Sequence, residues 1–175
     1  MYRGQIGRNG ALPHAMNINA TFQLGDTLVT GAGAAVWGYL SELERTMFLG
    51  EPAPQPRQYF DLMVGAQDTA FARLHPGATR TQVDRAVRDY FDHHGITNLW
   101  RHHTGHGLGQ RIHESPFLDL GDDTPLELGM VLSVQPGSYD PAWGGFRHSD
   151  AVLITPTGME LLTIYPRDLQ SLILA

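Results

Sequence analysis

Two helical segments lie between glycine-punctuated, β-prone stretches, and this order limits the fold more than any other feature of the 175 residues. In the first segment Tyr59, Met63, Ala66, Ala70 and Leu74 recur at helical spacing, and "HPGAT" breaks the run. In the second, Thr79 and Gln82 form a capping-box pattern. Val83, Ala86, Val87, Tyr90 and Phe91 then line one face, and Gly95 suits the C-terminal cap. The preceding "EPAPQPRQ" has prolines at alternate positions and reads as an extended, non-helical connector, so the helical pair is expected over residues 57–94. Upstream, Leu28, Val29, Val36, Trp37 and Tyr39 supply strand-forming side chains between glycines. Downstream, short strands are expected at 98–101, 110–114, 130–135, 145–148 and 150–154, and "PTGMELLT" reads as a turn entering another strand. Helices flanked on both sides by strands make the class α+β. At about 150 residues per domain, the length suits one domain.

Composition excludes several functions. The formal charge is −6 with no basic run, which argues against a nucleic-acid partner. All twelve cationic side chains are arginine, a bias that reads as a property of the source genome rather than of function. Cysteine is absent, which removes disulfides, thiolate catalysis and cysteine zinc sites and suits the cytoplasm. No apolar run reaches the roughly 18 residues of a membrane helix, and "MYRGQIGRNG" lacks an apolar signal region, so a soluble cytoplasmic protein without membrane contact is expected.

The chemistry-bearing stretch is "TGHGLGQRIHESP", with His106 and His113 around paired glycines and Glu114 beside the second histidine. Alone, it would read as a glycine-bent turn with polar surface histidines. Four further stretches accompany it in order: "GALPHA" with His14, "GYLSELERT", "GMVLSVQPGSY" and "GGFRHSDAVLIT". Together they resemble the creatinase/aminopeptidase family of pita-bread enzymes, which includes methionine aminopeptidase, Xaa-Pro aminopeptidase and prolidase. "HHTGHGLG…HE" is similar to the His-x-Thr-Gly-His-Gly-hydrophobic-Gly…His-Glu signature of the proline-specific branch. The resemblance runs from about Gly7 to the C-terminus. It implies a pita-bread fold, a curved, mainly antiparallel sheet with helices on one side. The chain would then be a single domain, residues 1–175, lacking the helices that precede "GALPHA" in the family.

The resemblance also implies a five-residue ligand set for two divalent ions, Asp, Asp, His, Glu and Glu. Laid on this chain, those positions fall on Gly31, Glu42, His106, Gln135 and Ser149. Only His106 keeps the family residue. Gly31 offers no side-chain ligand, and Gln135 and Ser149 are neutral, weak donors to a hard cation. With Glu42 as the one remaining carboxylate, two dications a few ångströms apart would repel by several kcal/mol at an effective dielectric of ~20. No metal cofactor is therefore expected; the alternative is a single Zn or Mn ion at Glu42 and His106.

Residues that handle substrate in the family are mostly present: His14, Tyr39, His102, His113 and Arg147 match their family positions. As a remnant pocket these imply donors for an anion such as a peptide carboxylate. His75, His93 and His94 read as surface or structural, His103 and His148 have no family role, and Asp150 reads as structural. The leading expectation is a metal-free pseudopeptidase of the Xaa-Pro aminopeptidase or prolidase type that binds a peptide or protein. The alternatives are a single-metal Xaa-Pro aminopeptidase or dipeptidase, and a creatinase-like hydrolase using His113 or His102 as base. Without helical cover the first half would expose an apolar sheet face, which implies a homo-oligomer or another protein as its cover.

Overall fold

Proline opens the first helix instead of preventing it. The computed structural model describes residues 2–15 and 19–175, and in it α1 spans Pro54–Phe71, with proline in its first turn. The connector expected at 51–58 is thus helical from Pro54 onward. First-turn N–H groups have no intrahelical acceptor, so a residue lacking that group costs nothing there. The second helix, α2 (Arg80–His93), starts at the capping box: Gln82 N donates to Thr79 Oγ1 at 3.2 Å, and Thr79 N donates to the Gln82 side chain at 2.9 Å.

The strands are β1 (Tyr2–Ile6), β2 (Thr27–Ala32), β3 (Ala35–Val36), β4 (Tyr39–Leu40), β5 (Leu43–Leu49), β6 (Gly105–Gly107), β7 (Glu114–Leu118), β8 (Val131–Val134), β9 (Gly137–Asp140), β10 (Gly144–Arg147), β11 (Asp150–Thr155), β12 (Gly158–Leu161) and β13 (Ile173–Leu174). One sheet has the order β1-β2-β5-β13 and a second the order β12-β11-β8-β6-β7. The pairs β9–β10 and β3–β4 are separate ribbons. All pairings are antiparallel except β13 with β5. The α+β class follows.

Two expected strands are displaced. Residues 97–99 form a 3₁₀ turn rather than a strand at 98–101, because Leu99 N and Trp100 N bond back to Ile96 and Thr97 carbonyls. Residues 110–113 are bends. Gly109 N reaches Arg111 O, and Arg111 N reaches the Glu114 carboxylate, so this backbone is satisfied locally and the ladder begins only at Glu114.

The helices pack on the second sheet. Ala66, Ala70, Val83, Val87 and Phe91 meet Leu118, Leu132, Val134, Val152 and Ile154, all buried. A smaller core of Phe48, Phe60, Met63, Phe146 and Leu172 joins α1 to β5 and β10. The sheets are stitched by main chain where Glu44 and Ser149 exchange two backbone hydrogen bonds of 3.0 Å. Beside that seam Arg45 is buried and grips both oxygens of buried Asp150 at 2.7 and 3.0 Å, while Gln67 and Thr163 also donate to this carboxylate. A groove bordered by Ala32, Leu43, Leu162, Ile164 and Tyr165 leaves apolar side chains exposed, Ile164 almost fully. Among the described residues no helix is long and apolar enough to cross a membrane.

Removing the Asp150 carboxylate would strand a buried guanidinium, a change that typically costs about 3–5 kcal/mol. Asp150→Ala is therefore expected to lower the urea midpoint far more than Asp68→Ala, whose exposed carboxylate pairs with Arg167 at the surface. Equilibrium denaturation of the two variants checks this.

Candidate functional site

Glycine sets the position of the central histidine. In β6 a Cβ at Gly105 would lie 2.1 Å from Ser133 O, and one at Gly107 would lie 2.5 Å from Ser115 O. Any larger residue on either side of His106 would push apart β8 or β7. The strand is also held from α2: buried Asp84 accepts from Thr104 N at 2.9 Å and Thr104 Oγ1 at 2.7 Å. His106 is thus fully buried inside a sheet, not on a surface turn.

His106 Nδ1 lies 3.0 Å from Gly107 O; a carbonyl only accepts, so Nδ1 carries a proton. Its Nε2 faces Glu42 Oε2 at 3.3 Å, with both side chains buried. The His113 ring lies over His106, centroids 4.1 Å apart. Glu42 and His106 are therefore brought together. Among the described residues, no group of three histidine or acidic side chains is arranged to hold a metal ion. Ser149 Oγ is bonded to Ser133 Oγ at 2.7 Å, and buried Gln135 donates its backbone N–H to Thr104 O.

The space in front of Gly31 is filled from the opposite strand. Gly31 and Glu44 are direct partners in the β2–β5 ladder. A Cβ at Gly31 would fall 2.8 Å from Glu44 Cγ and 3.0 Å from its Oε1. Both oxygens of this carboxylate accept from Arg147, with Nε at 2.6 Å and Nη2 at 2.8 Å. Arg147 Nη1 donates to the Tyr139 hydroxyl at 2.9 Å. Tyr139 donates to His102 Nε2 at 2.7 Å, and His102 Nδ1–H donates to His103 O at 2.8 Å. The proton positions in this chain follow from its ends, a guanidinium that only donates and a carbonyl that only accepts.

Two expectations about the pocket change. The count of one remaining carboxylate omitted Glu44, which lies in the same buried cluster. The donors expected to capture an anion are also partly committed, since all three guanidinium nitrogens of Arg147 and both ring nitrogens of His102 already have partners. Glu44 and Tyr139 are the site residues that sequence reasoning missed. Glu44 did leave a signal: it is a second carboxylate two residues after Glu42 in "GYLSELERT". Of the other expected residues, His14, Tyr39 and His113 are exposed. Tyr39 lies on the β3–β4 hairpin, which is tied to the histidine loop by Leu40 N to Gly109 O at 2.8 Å. Asp150 has the structural role expected of it.

Burial, then the Arg147 charge, lowers the His102 pKa from 6.5 to about 4. Burial, then Arg45 and Arg167, holds His148 well below its ordinary value. Burial also opposes the charge on Arg147, but Tyr139 and Glu44 outweigh it and the net shift is upward.

The chain matches the profile of metallopeptidase family M24 over residues 4–156. It is 36% identical over 163 residues to the Xaa-Pro dipeptidase of Pyrococcus furiosus, covering 93% of this chain and 47% of that protein. It is also 36% identical over 163 residues to the uncharacterized peptidase YqhT of Bacillus subtilis, covering 93% of this chain and 46% of that one. Among solved structures, the Xaa-Pro dipeptidase from Bacillus anthracis superposes with a TM-score of 0.94 at 35% identity, covering 99% of this chain and 48% of the other. The X-Pro aminopeptidase from Thermotoga maritima gives 0.92 at 28% identity, covering 96% of this chain and 48% of its own. The chain thus has the pita-bread fold and spans about half the length of the curated relatives it matches.

In the folded state His102 is neutral down to about pH 4, whereas in the unfolded chain it takes up a proton near 6.5. Its lowered pKa therefore costs no stability above pH 6.5. Stability is lost as pH falls from 6.5 toward 4, at about 1.4 kcal/mol per pH unit once the unfolded form is protonated. Urea midpoints measured at pH 7.5, 6 and 5 should decline, with a shallower decline in His102→Gln; equal slopes in the two proteins would contradict the assignment.

Proposed function

The chain belongs to metallopeptidase family M24, and from that premise we propose that it is a pseudopeptidase of the Xaa-Pro dipeptidase type, a domain that binds a peptide or protein without hydrolysing it. On this reading the residues at the ligand positions do not fit a pair of divalent ions. The carrying observation is the Glu44 carboxylate, which fills the volume in front of Gly31 and is held at both oxygens by Arg147. A second point supports it: Glu42, the one carboxylate at the five ligand positions, faces the His106 imidazole, and the hydroxyl of Ser149 is bonded to Ser133. Ligand contact is assigned to exposed His14, Tyr39 and His113 rather than to buried Arg147 or to His102, whose nitrogens already have partners inside the site.

A metal-dependent hydrolase would need deprotonated, convergent ligands and a bound water near them. A metal-free hydrolase with His102 as its base would need a free nitrogen on that ring, and both are engaged, which leaves His113 as the base for that alternative. The test combines elemental analysis with an assay of Ala-Pro and Leu-Pro dipeptides in added manganese or cobalt, with creatine as a separate substrate. The expected outcome is less than about a tenth of an equivalent of tightly bound metal and no turnover above that of His106→Ala. Stoichiometric metal with turnover that vanishes in His106→Ala would overturn the proposal, as would release of urea from creatine.

A further inference from the structure

Arg147 is a guanidinium buried to 2% exposure in the wall of the site, and a charge so placed must have a fixed counter-charge. Its partner is Glu44, on β5. The carboxylate is supplied from a strand position directly across from a glycine and occupies the space that a side chain at that glycine would need. The two positions therefore exclude each other: a side chain at 31 and the present placement of Glu44 cannot coexist without a clash near 2.8 Å.

We propose that residues 31 and 44 are alternative positions for one carboxylate. The carboxylate of this corner of the site is supplied from position 44, in the space a side chain at position 31 across the ladder would take, and the Arg147 guanidinium is its resident cation. Glu44 is then a positioning residue. It orients Arg147, which presents Nη1 to Tyr139 and so directs the Tyr139 hydroxyl proton to His102 Nε2. A plain packing role for Glu44 would require only a side chain of suitable volume. The proposed pairing requires a carboxylate, from either strand. The inference does not depend on whether the site turns over substrate, so it stands or falls separately from the pseudopeptidase reading.

The test is rescue across the ladder, read as melting temperature by circular dichroism. Glu44→Thr should lower the midpoint by roughly 6 °C or more, since it strands the guanidinium. Adding Gly31→Asp to Glu44→Thr should return at least half of that loss, whereas adding Gly31→Asn, of the same shape without charge, should not. Gly31→Asp alone should destabilise by the clash with Glu44. If Glu44→Thr fails to fold, soluble yield and far-ultraviolet signal of the two double variants provide the same comparison. The proposal is overturned if Glu44→Thr melts like the parent, if asparagine rescues as well as aspartate, or if neither rescues.

Discussion

A buried cation without a partner is strongly destabilising, and at the seam between the two sheets the structure supplies a carboxylate for each of two buried guanidinium groups. Adjacent residues of a strand face opposite sides. Glu44 and Arg45 in β5 therefore send their charges in opposite directions, one to Arg147 and the other to Asp150. Between them the backbone of Glu44 exchanges both hydrogen bonds with Ser149. One dipeptide thus joins the halves by main chain and neutralises a buried charge on each side. The helices reinforce the joint from α1, where Gln67 donates to both Asp150 and the Val134 carbonyl.

The elements legible in the sequence were those whose signal is local. The capping box of Thr79 and Gln82 and the strands at 131–134, 144–147 and 150–155 appear within a residue or so of their expected bounds. Pro54 and Pro56 were misread because proline breaks a helix interior but suits its first turn, and composition alone does not say which turn is the first. The segments near 98 and 110 fail as strands because their backbone groups find partners two or three residues away, and no hydrophobic pattern reports that competition.

At the site, the ordered motifs pointed to Glu42 and His106, which the fold brings together, but they could not reveal a non-local pairing. Gly31 and Glu44 are thirteen positions apart in sequence and adjacent in the ladder. Read singly, the first is a glycine without a side-chain ligand and the second an ordinary acidic residue on a strand. Only the register shows that Glu44 occupies the space a side chain at Gly31 would need. The same holds for Arg147, whose charge alone suggests an anion site, whereas its surroundings show a closed network ending at the His103 carbonyl.

The glycines of β6 have a further consequence for how this protein responds to change. Backbone oxygens of both neighbouring strands stand where a methyl group would have to go at residues 105 and 107. Alanine scanning through this segment would consequently report severe damage whether or not any bond is ever broken there. Intolerance at Gly-His-Gly measures how closely three strands approach, so mutational sensitivity in this stretch is a gauge of sheet spacing before it is a gauge of catalysis.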